Sequence, residues 1–64
     1  MKLYIDDIVK IGPYAHLGPL QGVVCKIVSE VFPRKKLPYQ VLNLRRCDTG
    51  ERLVSVDGRV LGRV

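Results

Sequence analysis

The residues able to do chemistry in this 64-residue chain fall into a basic group and a small aromatic group. Eleven Lys and Arg against six Asp and Glu give a formal net charge of +5, which favours an anionic partner such as nucleic acid. Tyr14 and the single histidine, His16, share a glycine-rich stretch, and rings of this kind stack on unpaired bases. The basic residues selected as phosphate contacts lie in two short runs, namely Arg34, Lys35 and Lys36, and Arg45 and Arg46. The wider basic footprint adds Lys26, Arg52, Arg59 and Arg63.

Spacings typical of catalysis or metal binding are missing from the sequence. The adjacent carboxylates Asp6-Asp7 point to opposite sides of an extended chain, so they cannot aim at one substrate atom. Only one histidine could serve as a base, no motif frames Ser29 or Ser55 as its nucleophile, and no phosphate-binding GxxxxGK occurs. Cys25 and Cys47 lack the paired spacing of zinc ligands and are interpreted as free packing thiols. We therefore expect no catalytic residues, no cofactor and no metal.

Turn signals divide the chain into five short strands. The apolar and β-branched segments predict strands at residues 7–11, 22–32, 39–47, 51–56 and 59–64. Val24 and Ile27 are three positions apart, which indicates a bulge between them, and Gly50 suits a turn that requires a positive φ. Asp57-Gly58 predicts a two-residue hairpin of type I′, so residues 39–64 should form a three-stranded meander. A single all-β domain over residues 1–64 follows, and closing it into a barrel would remove its exposed edges.

The glycine-rich stretch resembles a known motif. Val9-x-Ile11-Gly12-Pro13-Tyr14-Ala15, then Gly18, then Gly22-Val23-Val24-x-x-Ile27, is similar to the KOW motif of the NusG C-terminal domain and several ribosomal proteins. The spacer from Gly18 to Gly22 is longer than the family usually has. The resemblance implies a five-stranded SH3-like barrel whose first loop touches RNA, and this is the loop that holds Tyr14 and His16.

Three functions remain open at the level of sequence. The first is a small non-enzymatic module that binds RNA or DNA through its basic surface and first loop. The second is a protein-interaction or homo-oligomer-forming subunit, because the third and fourth strands look apolar on both faces. Its candidate interface residues are Leu42, Leu44, Val54 and Val56. In this interpretation the second apolar face is covered either by the Leu3-Tyr4-Ile5 segment or by another subunit.

The third function rests on fold analogy alone. The plasmid-type dihydrofolate reductase is a related barrel that works as an oligomer around a central pore, but its Val-Gln-Ile-Tyr segment is here Leu53-Val54-Ser55-Val56. The chain also lacks a signal peptide and an apolar run long enough to span a bilayer, so the sequence predicts a cytoplasmic protein without membrane contact.

Overall fold

Five antiparallel strands form one continuous sheet. The structure, a computed structural model, describes residues 2–13, 15–31 and 38–64. The strands are β1 (Ile8–Ile11), β2 (Val24–Val31), β3 (Val41–Arg46), β4 (Arg52–Asp57) and β5 (Leu61–Arg63). Their order across the sheet is β4-β3-β2-β1-β5. The predicted all-β class is confirmed, whereas closure is not seen among the described residues, because β4 and β5 form the two edges.

The helical segments of the described residues are two short 3-10 helices, Ala15–Leu20 and Gly58–Val60. The first occupies the glycine-rich loop between β1 and β2, where Pro19 is accommodated because the segment is too short to need a full ladder of hydrogen bonds. No helix within the described ranges has the length and apolar character needed to cross a membrane.

Alternation of side chains decides which face of the sheet is buried. In β1, Val9 and Ile11 are 0% and 1% exposed, while Ile8 and Lys10 lie on the outer face. The buried apolar residues come from all five strands and from the segments that precede β1 and β5. They are Leu3, Val9, Ile11, Cys25, Ile27, Leu42, Leu44, Val56, Val60 and Leu61.

The bulge predicted in the second strand occurs, but farther along the chain. The pairing of β2 with β3 shifts register between Ile27 and Ser29, so Val28 is the extra residue. The sequence predicts a bulge between Val24 and Ile27 if both of these side chains fill the core. Cys25 fills the core instead, and it shares the inner face with Ile27 by ordinary alternation.

A second irregularity lies directly across β3. The register between β3 and β4 shifts between Leu42 and Leu44, and Ser55 on β4 has a φ of 54°. The Asn43 side chain joins the two bulges: its amide donates to Ser29 Oγ at 3.0 Å, and its Oδ1 accepts from the Ser55 N–H at 3.1 Å. This explains how β2 and β4 can both depart from regular pairing beside one strand.

The hairpin predicted at Asp57-Gly58 is wrong, and so is the three-stranded meander. Asp57 has a φ of −64° and its carboxylate accepts from the Arg59 N–H, which starts the 3-10 helix Gly58–Val60. A Cβ on Gly58 would lie 3.0 Å from the carbonyl oxygen of Gln40, so this glycine permits close backbone approach rather than a positive φ. The helix carries the chain away from β4, and β5 pairs with β1.

The N-terminal segment covers the core with one side chain. Leu3 is 3% exposed, and its N–H and carbonyl are both bound by the Gln40 side-chain amide at 2.9 Å. Tyr4 and Ile5 follow in a turn and are 57% and 58% exposed. Of the Leu3-Tyr4-Ile5 segment predicted to cover a second apolar face, Leu3 alone is buried, and it lies in the same buried cluster as Leu42 and Leu44.

Candidate nucleic-acid interface

A row of cations crosses the outer face of the sheet. Lys26 on β2 lies directly opposite Arg45 on β3, and Arg45 lies directly opposite Arg52 on β4. Directly opposite residues share a face, and all three side chains are exposed. Lys10 is on the same face of β1, one diagonal step from Lys26. Neighbouring strands are about 4.8 Å apart, so the cationic row of Lys10, Lys26, Arg45 and Arg52 spans roughly 14 Å over four strands.

Most of the acidic residues lie elsewhere. Within the described ranges, the ion pairs away from the cationic row are Asp7 with Arg63 (3.2 Å), Asp48 and Glu51 with Arg46 (2.9 and 3.6 Å), and Asp57 with Arg59 (2.7 Å). In the row itself, Lys26 Nζ lies 3.4 Å from Asp6 Oδ1, and both side chains are at least half exposed. Such surface pairs contribute little, so the row keeps most of its positive charge.

This arrangement is unfavourable for the isolated chain. Like charges on directly opposite strand positions repel, by roughly 0.2–1 kcal/mol for each pair. Arg45 has a cation on both sides. Neutralisation of these cations by bound anions would remove this repulsion.

Arg46, also predicted as a phosphate contact, is held by its own hairpin. It lies opposite the buried Cys25, whereas Arg45 points outward. Its guanidinium donates to both carboxylate oxygens of Asp48, at 3.0 and 2.9 Å. This hydrogen bonding raises the pKa of Arg46 and lowers the pKa of Asp48. The two consecutive arginines thus have different environments, and Arg45 is the one exposed on the outer face.

The predicted loop contacts fall mainly outside the described residues. Tyr14 and the basic run of Arg34, Lys35 and Lys36 lie outside them altogether. The backbone of His16 belongs to the 3-10 helix Ala15–Leu20, while its side chain is outside the description. Contacts from these residues to a ligand therefore stay predictions. Among the described residues, no three His, Cys, Asp or Glu side chains come together in a way that would hold a metal ion.

The candidate interface residues need a correction. Leu42 and Leu44 are 1% and 0% exposed, and Val56 is 9% exposed, so all three belong to the core of this chain. Val54 is 68% exposed and lies on the outside of β4. Leu42 and Leu44 follow regular alternation and form the inner face of β3. Val56 departs from the alternation of β4, because Ser55 and the register shift turn it inward.

The sequence places Lys26 and Arg52 in the wider basic footprint without singling them out as contacts, and it gives no sign of Lys10. Their alignment depends on cross-strand register, which residue types alone do not reveal. One signal was present: a hairpin centred on Asp48 and Thr49 places Arg45 opposite Arg52, and this turn was predicted. Adding Lys10 and Lys26 to the row requires knowledge of how β1 pairs with β2 and how β2 pairs with β3.

Comparisons with protein-family models, with curated proteins and with solved structures give no match to this chain. A functional assignment therefore rests on the geometry and charge of the chain itself.

Proposed function

We propose that this chain is a small, non-enzymatic nucleic-acid-binding module that uses the outer face of its sheet. The cationic row of Lys10, Lys26, Arg45 and Arg52 supplies the phosphate contacts. The observation that carries the proposal is the alignment of like charges on directly opposite positions of three adjacent strands. Scattered surface charge, the alternative explanation of a basic chain, has no reason to follow strand register.

The shape of the face favours a polymer over a small anion. A small anion is held by several donors that converge on one point, usually in a concave site. Here the cations are spread along roughly 14 Å of sheet surface, one or more strand spacings apart. A chain of phosphates can meet such charges one after another and release its bound counterions on doing so.

The five antiparallel strands and the long, bulged β2 also support a finer proposal about the fold. We propose that the sheet belongs to an SH3-like barrel with a KOW-type first loop. In that arrangement Tyr14 and His16 would add base contacts from the loop that follows β1.

A salt titration with two matched variants tests the proposal. One variant replaces Lys26, Arg45 and Arg52 by Gln, and the other replaces Arg34, Lys35 and Lys36 by Gln, so that both lose three positive charges. Binding of a fluorescent oligonucleotide is followed by anisotropy between about 50 and 200 mM salt. We expect the first variant to lose most of its affinity and salt dependence, and the second to lose less.

Equal losses in the two variants would show that net charge alone governs binding. Wild-type protein without measurable affinity at the lowest salt would refute the proposal, since phosphate contacts are strongest there.

A further inference from the structure

The cationic row continues into an apolar pair on the same face. Ile8 on β1 lies directly opposite Lys26, and it is 41% exposed. The pairing of β1 with β5 brings Val64 beside Ile8, where the Val64 N–H donates to the Ile8 carbonyl oxygen at 3.3 Å. Val64 is 76% exposed. One line therefore crosses β4, β3, β2 and β1 and ends at Val64, the residue after β5, and it reads Arg52, Arg45, Lys26, Ile8 and Val64. Its first three members are cations and its last two are aliphatic.

From this line we infer that the ligand is a single strand of nucleic acid that runs across the β-strands. Its phosphates meet the four cations of the row, Arg52, Arg45, Lys26 and Lys10, and one of its bases packs on Ile8 and Val64. The inference rests on the proposed function and adds the class of nucleic acid to it.

The spacing of the line matches the chemistry of a nucleotide. Adjacent strands are about 4.8 Å apart, so a nucleotide whose phosphate meets Lys26 can lay its base over Ile8 on the next strand. An aliphatic side chain offers no hydrogen bond to a base, but it offers apolar contact to the ring face. The contact is therefore tolerant of sequence, as is usual where single strands bind on a surface.

A duplex cannot use the apolar half of the line. Its base faces are stacked inside the helix, and its base edges are reached only from within a groove. The line consists of side chains on a sheet surface, and within residues 2–13, 15–31 and 38–64 no helix or β-ribbon projects from it. Duplex DNA or RNA can therefore meet the cations with its outer phosphates but gains nothing from Ile8. This difference between the two kinds of ligand makes the inference testable.

The test compares single-stranded and duplex probes against variants at one position. The single-stranded probes are uridine and deoxythymidine oligomers of about 12 nucleotides, within the site sizes of single-strand binders, and the duplex probe has a similar number of phosphates. We expect Ile8→Ala to weaken single-strand binding about 3-fold and Ile8→Tyr to strengthen it at least about 3-fold, because an aromatic ring stacks on a base. Neither change should alter the salt slope or the duplex affinity. Thermal unfolding of both variants, followed by circular dichroism, verifies that they are folded.

The two proposals fail in different ways. If the wild-type protein binds single-stranded and duplex probes equally and both Ile8 variants behave like it, the single-strand inference is overturned while the phosphate proposal stands. If Arg45→Gln binds every probe as the wild type does, the phosphate proposal fails. A preference for either the uridine or the deoxythymidine oligomers over the duplex supports the inference.

Discussion

Replacing Arg45 by Gln isolates the central cation of the row. Arg45 has Lys26 on one side and Arg52 on the other, and it has no ion pair among the described residues. Gln keeps a polar side chain and removes the charge. We therefore expect binding to weaken while the fold is unharmed, a combination that a merely structural arginine would not produce.

The size of the effect follows from the number of phosphates in contact. For single strands, the logarithm of the affinity falls with the logarithm of salt concentration by about 0.7 per contact. Four contacts predict a slope of about −2.8, which is a loss of roughly 50-fold between 50 and 200 mM salt. Three contacts predict a slope of about −2.1 and a loss of roughly 18-fold. If the wild type and Arg45→Gln have the same affinity at about 1 M salt, the variant should bind about 8-fold more weakly than the wild type at 50 mM and about 3-fold more weakly at 200 mM.

The stability of the variant provides the second measurement. Two like-charged cross-strand pairs disappear, each worth roughly 0.2–1 kcal/mol of repulsion before screening by salt. The free energy of unfolding in urea should therefore stay the same or rise by at most about 1 kcal/mol. A clear fall would mean that Arg45 makes stabilising contacts that the cationic row does not include.

Arg46→Gln is the matched control. It removes the same charge from the next residue, but Arg46 lies on the other side of β3 and is held by Asp48 and Glu51. We expect it to keep the wild-type salt slope and to unfold at a lower temperature, because two ion pairs are lost. The reasoning is refuted if Arg45→Gln loses less than about 2-fold in affinity at 50 mM salt, or if both variants reduce the slope equally.

Three further predictions concern the fold beneath this face. Gly50 has a φ of 77°, so Gly50→Ala should lower the free energy of unfolding in urea by about 1–2 kcal/mol. Gly62→Ala is the control, because a Cβ there meets open space at an ordinary φ, and it should change this free energy by less than about 0.5 kcal/mol. Equal effects of the two substitutions would contradict the turn at Gly50. Hydrogen bonding from Arg46 lowers the pKa of Asp48 below its ordinary 3.8. The stability that the Asp48 carboxylate contributes to the folded chain is therefore complete above that pH and is lost as the pH falls further. The melting temperature of Asp48→Asn should accordingly lie below that of the wild type at pH 7 and approach it near pH 2. The same difference in melting temperature at both pH values would count against the Arg46–Asp48 ion pair. Burial raises the pKa of the Cys25 thiol, while Cys47 is exposed. A thiol reagent should therefore label Cys47 alone in the native chain and both cysteines in urea. Rapid labelling of both cysteines without denaturant would contradict the burial of Cys25.

Local pattern was enough to predict the strands and much of the core. Val9 and Ile11 alternate with exposed residues in the way a half-buried strand requires, and the structure buries both. Gly50 was assigned to a turn with positive φ because few other residues adopt that conformation easily, and its φ is 77°. These features depend on residues close together in sequence, so residue types and spacing carry the information.

Pairing and register could not be read in the same way. Asp57-Gly58 has the composition of a tight hairpin, yet the backbone near Gln40 and the docking of β5 on β1 impose a 3-10 turn. The Ser55 irregularity turns Val56 inward against simple alternation. Register also brings the members of the cationic row together from four strands, which is why the sequence showed an excess of charge but not its location.

The pairing of the first strand with the last has a consequence for the order in which the sheet assembles. β2, β3 and β4 are joined by neighbouring connections, whereas β5 must return across about 50 residues to reach β1, and the Arg63 guanidinium donates to the Lys2 carbonyl oxygen at 2.7 Å. Closing a long loop costs more chain entropy than closing a short one, so such contacts form late in folding and are the first to open in local fluctuations. The cations on β2, β3 and β4 thus belong to the part of the sheet that forms early. Ile8 lies on β1, which pairs with its sequence neighbour β2, whereas Val64 reaches Ile8 only through the long-range pairing of β5 with β1. We therefore expect the apolar pair to be completed after the charged face has formed.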